Sequence, residues 1–284
     1  PSSEPFRSCP PVSEETFTAD WLALREPVDH RSRSDDLVAH LAEWWGPRAG
    51  RRVLDLGSGT GSNLRYLAPR LPGEQEWTLV DRDDALLDRA TGAAVAVRGV
   101  ARVERMRGEL DREGLERVPG ADLVTASALL DLVTQEWLER LVTTCREAGS
   151  AVLLALTWDG TTTWNEPDPD DEIVAEAVRS HQLRDKGMGP ALGPAAGQAA
   201  DRAFRSAGYD TRTQPSPWRL GSADAALVRS LVDGWADAAS EERPEDCPLI
   251  AAWAERRSTV DGADFGLEVG HIDVLALPRR SDAP

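Results

Sequence analysis

The sequence has almost no lysine and a large excess of acid. Of its 32 basic side chains only Lys186 is a lysine, and 49 acidic side chains bring the net charge to −17. Binding to nucleic acid depends on Lys and Arg side chains that neutralise phosphates, and an anionic membrane surface needs the same sign of charge. This balance therefore predicts neither a nucleic-acid partner nor a membrane partner.

Cysteines and long apolar runs are also scarce. Cys9, Cys145 and Cys247 are widely spaced, with no C-x-x-C pair and no histidine cluster, which predicts neither a disulfide framework nor a metal site. No apolar run approaches the ~20 residues of a membrane span, and the first residues are polar and acidic, unlike a signal peptide. We therefore expect a cytoplasmic protein. A chain of 284 residues, 41% of them hydrophobic, can form one large domain with a modest extension.

The most informative stretch is residues 53–63. An apolar run that includes Asp55 is followed by Gly57, Gly59 and Gly61 and then by a helical pattern. Glycines at a strand-to-helix turn let the backbone approach a ligand closely and adopt positive φ angles, and the helix that follows offers free N–H groups. This pattern predicts a nucleotide-type pocket at the carboxyl edge of a parallel sheet.

The glycine spacing helps to choose between two classes of ligand. The dinucleotide fingerprint is G-x-G-x-x-G/A, but its third small position is Ser62 here, and a glycine stands one place earlier. The pattern Asp55-x-Gly57-x-Gly59-x-Gly61 instead resembles motif I of the class I S-adenosylmethionine (AdoMet) methyltransferases. The resemblance implies AdoMet as cofactor, with S-adenosylhomocysteine as its product. It implies cofactor contacts from the loop residues Asp55, Gly57, Ser58, Gly59, Gly61 and Asn63.

Two acids at the ends of later strands extend the predicted cofactor site. Asp81 ends a short apolar strand, where it can accept hydrogen bonds from ribose hydroxyls. Both ligand classes use such an acid, so Asp81 does not distinguish between them. Arg82, the next residue, is also predicted to contact the cofactor. In the resembled family an acid and its neighbour after the third strand contact the adenine. Glu109 with Leu110 takes that place here, and Asp111 is the alternative acid.

Arginines before the core complete the cofactor prediction. Residues 24–33 are polar and rich in arginine. In many members of the resembled family such a segment folds over the cofactor, and an arginine from it pairs with the AdoMet carboxylate. Arg25 and Arg33 are the candidates.

The acceptor site is expected where the fourth strand ends and in a long segment after the fifth. Small residues at 126–128 leave room for the methyl donor, and Ser127 is predicted to contact it. An acceptor that is not already ionised needs a base, and Asp131 and His181 are the candidates. Long connections at this edge of a sheet are usually functional, so residues 158–193 are predicted to line the acceptor pocket. The predicted substrate-binding residues are Trp158, Trp164, Gln182 and Lys186.

Strand and helix patterns alternate through the core, which predicts βαβ units in an α/β fold. We expect a doubly wound, mostly parallel, seven-stranded sheet; the resemblance implies the order 3-2-1-4-5-7-6 with the last strand antiparallel. The expected divisions are a mobile tail at 1–15, an N-terminal helical cap at 16–50, the core at 51–157, the insertion at 158–193, and the rest of the core at 194–284 with a helical extension at 222–259.

The function implied by the resemblance is methyl transfer from AdoMet to a small organic molecule, at oxygen or nitrogen. A protein with a basic tail is the other acceptor that an acidic surface allows. Two other functions stay open. A nicotinamide-dependent Rossmann oxidoreductase is disfavoured by Ser62 and by the lack of an identifiable Tyr-x-x-x-Lys pair. A non-catalytic AdoMet-binding protein would carry the same glycines. We expect a monomer or a homodimer.

Overall fold

The computed structural model describes residues 18–47, 50–259 and 265–279, and the tail predicted at 1–15 lies outside them. Within these residues eight strands form one sheet. Their bounds are β1 (Arg51–Leu56), β2 (Gln75–Asp81), β3 (Val100–Arg107), β4 (Leu123–Ser127), β5 (Ala151–Trp164), β6 (Asp210–Pro215), β7 (Trp218–Leu220) and β8 (Leu267–Leu277).

The order of the strands is β3-β2-β1-β4-β5-β8-β6, with β7 also paired to β8. β1 to β5 are parallel, and β8 runs antiparallel to β5, β6 and β7. The predicted doubly wound sheet is confirmed. Residues 210–220 form two short strands, because Ser216 between them donates its hydroxyl to a buried carboxylate on β8 and Pro217 has no N–H to donate to a ladder. This split adds the eighth strand.

Helices cover both faces of the sheet. The α-helices are α1 (Ala19–Ser32), α2 (Asp35–Trp45), α3 (Ser62–Leu67), α4 (Asp84–Ala94), α5 (Gln135–Ala148), α6 (Asp171–Gln182), α7 (Ala196–Ser206), α8 (Ala225–Glu242) and α9 (Cys247–Arg257). α5 and α7 pack on one face, and α2, α3 and α4 pack on the other. Among the described helices, none is both long enough and apolar enough to cross a bilayer.

β5 is longer than the sequence pattern predicts. The core was expected to end at residue 157 and an insertion to begin at 158, but β5 continues to Trp164. Its second half is a strand because it pairs with β8, as in Trp158 opposite His271 and Trp164 opposite Leu267. The first part of the segment predicted as an insertion is therefore strand. Together with α6, α8 and α9, this extension forms a third apolar cluster beside the two that cover the sheet.

Candidate active site

A cavity of about 240 Å³ opens at the carboxyl ends of β1, β2, β3 and β4. The glycine loop between β1 and α3 forms its floor, and α1 and the turn at 186–188 form its sides. The predicted site residues that line it are Arg25, Asp55, Gly57, Ser58, Gly59, Asn63, Asp81, Arg82, Glu109, Leu110, Ser127 and Lys186. Residues from six parts of the sequence thus meet at one edge of the sheet.

The glycine loop needs glycine for both its backbone angles and its close contacts. Gly59 has φ +52°, and a Cβ there would lie 3.1 Å from Leu22 on α1. Gly61 has φ +79°, where it begins α3, and a Cβ would lie 3.1 Å from Ala90 on α4. Gly61 does not line the cavity. Its role is helix packing, while Gly59 lets α1 lie close to the loop.

Asp81 joins the glycine loop to the end of β2. Its Oδ2 accepts a hydrogen bond of 2.8 Å from the amide of Gly59, and its Oδ1 accepts one of 3.0 Å from the amide of Asp83. Each carboxylate oxygen has a further lone pair, and the residue lines the cavity. The carboxylate can therefore hold the loop and accept from a ligand at the same time.

Asp55 lies at the base of the cavity in a buried polar chain. Its Oδ1 accepts from Asn63 Nδ2 at 2.8 Å, and Asn63 Oδ1 accepts from Arg33 Nη1 at 3.0 Å. Burial raises the pKa of Asp55 to about 7, although the Asn63 bond and the Arg33 charge oppose that rise. Asp55 Oδ2 and the hydroxyl of Ser58 are buried without a hydrogen-bond partner among the described residues. Both residues line the cavity, so a ligand can supply the missing partners.

The two arginines predicted to pair with a cofactor carboxylate have different positions. Arg25 lines the cavity, in a bidentate pair with Asp29 on the next turn of α1 at 2.9 and 3.2 Å. Trp218 donates from Nε1 to the same carboxylate at 3.1 Å. Arg33 lies outside the lining, with its guanidinium 4.6 Å from the centre of the Tyr66 ring. Only Arg25 faces the cavity.

Polar contacts hold α1 against the glycine loop. Arg65 on α3 donates to Glu26 at 2.7 Å and to the carbonyl of Thr60 at 2.6 Å. His30 lies 3.0 Å from the Ser62 hydroxyl, and burial lowers the pKa of this imidazole. The neutral ring can then accept from the hydroxyl. The helix thus forms a wall of the cavity.

At the end of β3, the structure distinguishes between the two acids considered for adenine contact. Glu109 and Leu110 line the cavity, whereas Asp111 does not. The carbonyl of Asp111 instead accepts from Arg140 on α5 at 2.7 Å.

Most residues predicted for the acceptor lie outside this cavity. Asp131 is buried, its Oδ2 accepts from Gln182 at 2.9 Å, and burial raises its pKa to about 6. Trp158 and Trp164 line a second, smaller cavity together with Trp235 and Trp253. Of the predicted catalytic and substrate-binding residues named one by one, Lys186 alone lines the first cavity.

His181 also lies outside the lining, next to Lys186. Its Nε2 is 3.0 Å from Glu241 Oε2 on α8, and its Nδ1 is 3.5 Å from Lys186 Nζ. This imidazole therefore sits behind the lysine as seen from the cavity.

The sequence interpretation missed several lining residues. Leu22 and Asp29 lie three residues before and four after Arg25 on α1, a helical spacing that could have identified both. Leu129 and Met188 had no such signal, because only the fold brings the end of β4 beside the turn after α6. Among the described residues, no group of three or more His, Cys, Asp or Glu side chains is placed to hold a metal ion.

The order of the sheet separates two classes of protein. Dinucleotide-binding folds have the parallel order 3-2-1-4-5-6, whereas here antiparallel β8 lies between β5 and β6. The observed order agrees with the order that the resemblance to class I methyltransferases implies, with β8 as the inserted antiparallel strand. Residues 53–149, about a third of the chain, match the family model described as a methyltransferase domain. This part of the chain therefore carries a methyltransferase domain.

Several solved structures are similar to this chain at low sequence identity. A SAM-dependent methyltransferase from Geobacter sulfurreducens, in complex with S-adenosylhomocysteine, is 18% identical with a TM-score of 0.46 and covers 92% of this chain and 99% of its own. One from Thiobacillus denitrificans, also with S-adenosylhomocysteine, is 19% identical with a TM-score of 0.42, covering 91% and 98%. The cyclopropane synthase MmaA2 from Mycobacterium tuberculosis is 12% identical with a TM-score of 0.49, covering 92% and 94%. No curated protein matches the sequence.

Proposed function

We propose that this protein transfers the methyl group of AdoMet to a small organic molecule, at oxygen or nitrogen, in the cavity at the carboxyl edge of its sheet. One observation carries the proposal: the glycine loop, Asp81, Glu109 with Leu110, and Ser127 line a single cavity. Bound AdoMet supplies an activated methyl group on its sulfonium. The contribution of the protein is to position the reactants and to exclude water.

Each part of the cofactor has residues suited to it. Asp81 offers free lone pairs for the ribose hydroxyls, and Leu110 offers an apolar side chain to the adenine beside Glu109. Along the glycine loop, the unpartnered Oδ2 of Asp55 and hydroxyl of Ser58 suit the polar atoms of the methionine part. These buried groups support the proposal, because each lost its hydrogen bonds to water on burial and a bound ligand can supply new partners.

The acceptor end of the cavity lies between β4, α1 and the turn after α6. Leu22, Ala128, Leu129, Leu132 and Met188 make most of it apolar. An enclosed, mostly apolar site with a few polar groups suits a small molecule. The net charge of −17 supports the further proposal that neither nucleic acid nor an anionic membrane is a partner.

The two candidate bases from the sequence are outside the lining, so we propose that the acceptor enters already ionised or needs little basic help. Asp131 is engaged by Gln182, and His181 by Glu241. Asp29, which does line the cavity, already accepts three hydrogen bonds, two from Arg25 and one from Trp218.

Calorimetry with S-adenosylhomocysteine tests the cofactor site. The Asp81→Ala substitution removes an acceptor for the ribose hydroxyls, and we expect binding to weaken by about 1.5–3 kcal/mol, roughly 10- to 150-fold. Asp81→Asn keeps one carbonyl acceptor and should fall between. Asp88→Ala on α4 is the matched control, because Asp88 is exposed and outside the lining. Unchanged affinity in Asp81→Ala would place the ribose elsewhere. Binding of NAD or NADP without S-adenosylhomocysteine would refute the proposed function.

A further inference from the structure

We propose that Arg33 is a positioning residue of the cofactor site: through the Asn63 amide it stabilises the ionised carboxylate of Asp55, which binds the ammonium group of the cofactor. The inference rests on the proposed function and assigns a role to a residue behind that site. Arg33 lies outside the lining of the cavity, whereas Asp55 and Asn63 belong to it. The three side chains form a buried chain of hydrogen bonds behind the glycine loop.

The Asn63 amide lies between Arg33 and Asp55, and its two ends have different partners. Arg33 can only donate, so the 3.0 Å bond from its Nη1 requires the amide oxygen on that side. Asn63 Nδ2 then faces Asp55 Oδ1 at 2.8 Å and the Thr125 hydroxyl at 3.1 Å. In the flipped amide, the nitrogen would face the guanidinium and the oxygen would face the carboxylate. The guanidinium therefore keeps a donor on Asp55.

The other contacts of Arg33 leave Nη1 as the nitrogen that donates. Its side chain is 2% exposed, and Nε and Nη2 have no hydrogen-bond partner among the described residues. Nε lies 3.7 Å from Asp273 Oδ2 on β8. That carboxylate accepts from the amides of Ser34 at 3.0 Å and Leu156 at 2.7 Å and from the Ser216 hydroxyl at 2.7 Å. Arg33 thus forms a loose ion pair with Asp273 and donates its hydrogen bond toward Asp55.

Charges of both signs act on Asp55. Burial raises its pKa to about 7, the hydrogen bond from Asn63 and the charge of Arg33 oppose that rise, and the charge of Asp81 on β2 adds to it. Thr125, on β4, is neutral. The other charged residues of the lining are Arg25, Asp29, Arg82, Asp83, Glu109 and Lys186. They are unchanged in a variant of Arg33, so a comparison with that variant isolates the contribution of the guanidinium.

The free oxygen of Asp55 is the point of contact with the ligand. Oδ2 is buried, has no hydrogen-bond partner among the described residues, and belongs to a residue of the lining. An ammonium group supplies both a donor and the opposite charge, and such charge-assisted hydrogen bonds are the stronger ones. A protonated carboxyl offers no charge to a cation. Arg33 therefore strengthens ligand binding by favouring the ionised form.

Calorimetry with S-adenosylhomocysteine at pH 6, 7 and 8.5 tests the inference, because this ligand carries the ammonium group without the sulfonium. Its affinity for the unmodified protein should rise with pH as Asp55 ionises. Arg33→Met removes the charge and the donor and should move the midpoint of that rise up by about one pH unit. From a midpoint near 7, the variant should bind about tenfold more weakly at pH 6, roughly fivefold at pH 7 and less than about twofold at pH 8.5. A merely structural role would give the same loss at every pH.

Matched variants separate the charge of Arg33 from other effects. Arg33→Lys keeps the charge and a donor and should restore most of the affinity. Arg229→Met removes the same charge at an exposed position of α8 outside the lining and should behave as the unmodified protein does. Burial and the charge of Arg33 both lower the pKa of His30, so Arg33→Met is also measured in the Asp55→Asn background. There it should cause no loss that depends on pH.

Two further measurements complete the test. The deaminated analogue of S-adenosylhomocysteine, with hydrogen in place of the amino group, should show no rise in affinity with pH. The double variant Arg33→Met with Asp273→Asn removes both charges of the buried pair and leaves neither unpaired. It should show the same pH-dependent loss of affinity, and it serves in place of Arg33→Met if the single variant does not fold.

Three results would overturn the inference. The first is an affinity of the unmodified protein for S-adenosylhomocysteine that does not change with pH. The second is a loss in the Arg33 variants that is equal at every pH, and the third is an equal rise for the deaminated analogue. In each case, retained binding of S-adenosylhomocysteine would leave the proposed function standing. No binding of S-adenosylhomocysteine by the unmodified protein at any pH would instead refute the proposed function itself.

Discussion

Asp55 lines the candidate site, and its burial also lowers the stability of the folded protein. It is buried at the carboxyl end of β1, and burial raises the pKa of its carboxyl to about 7. In the unfolded chain the group titrates near 4. Between these two values the unfolded state binds fewer protons than the folded state, so this residue makes stability fall as pH rises.

The Asp55→Asn variant should therefore gain stability over the unmodified protein as pH rises from 4 to 8. The amide keeps an oxygen for Asn63 and cannot ionise. A shift of about three pH units at ~1.4 kcal/mol each sets the gain on the order of 4 kcal/mol at pH 8. Urea unfolding at several pH values measures it. Asp88→Asn, at an exposed site, should show no such trend, and a parallel trend for Asp55→Asn and the unmodified protein would contradict the prediction.

Single residues also mark what the sequence could and could not predict. The glycine positions and the acid at the end of β2 were predictable, because close backbone approach and strand-end acids follow from residue type and spacing. Arg25 and Arg33 were indistinguishable, since both lie in one polar segment. Only the fold directs Arg33 to Asn63 and Arg25 to the cavity.

At the scale of elements, α1 is a wall that the cavity requires. Its Leu22, Arg25 and Asp29 line the cavity, while Glu26 is tied to Arg65 on α3. Few of its residues are buried, so its position depends on these contacts more than on an apolar face.

We expect S-adenosylhomocysteine to slow hydrogen exchange of the α1 amides at least fivefold, because the ligand fills the space that α1 closes. Glu26→Gln weakens the tie to Arg65 and should speed exchange of α1 in the ligand-free protein. Glu43→Gln, exposed on α2, is the control. Mass spectrometry of peptides spanning 19–32 gives the measurement. Identical exchange with and without ligand would mean that α1 is no part of the site.

Element boundaries were predictable where local pattern decides them. The apolar run that begins at residue 53 lies in β1, and the helical pattern after Gly61 is α3. The length of β5 was not predictable, because its second half is a strand only through pairing with β8, more than a hundred residues later. The same distinction applies to the site. The glycine loop was predictable because it is one short stretch of sequence, whereas the acceptor end was not, because it is formed by segments that are distant in the sequence.

The whole molecule carries a net charge of −17. Such an excess of one sign destabilises the compact state by self-repulsion, and salt screens it. If salt reduces the free energy of this charge repulsion by ~1 kcal/mol, the Tm should rise by about 2 °C in a domain of this size.

Differential scanning calorimetry from 0.01 to 0.5 M NaCl should show this rise. Most of it should come below about 0.2 M, where the screening length falls from ~30 Å to under 10 Å. A rise that begins only above 0.3 M would indicate a salting-out effect instead, and a fall in Tm would mean that attractive ion pairs outweigh the repulsion.

The position of β8 has a consequence for biosynthesis. β8 follows β6 in the chain yet lies between β5 and β6 in the sheet. Until the ribosome has delivered Leu267–Leu277, at about 5–20 residues per second, β5 has one unpaired edge and β6 has no strand partner in the sheet. Open edges are where nascent chains pair with one another. The nascent chain is therefore prone to aggregate through these open edges until β8 inserts between β5 and β6.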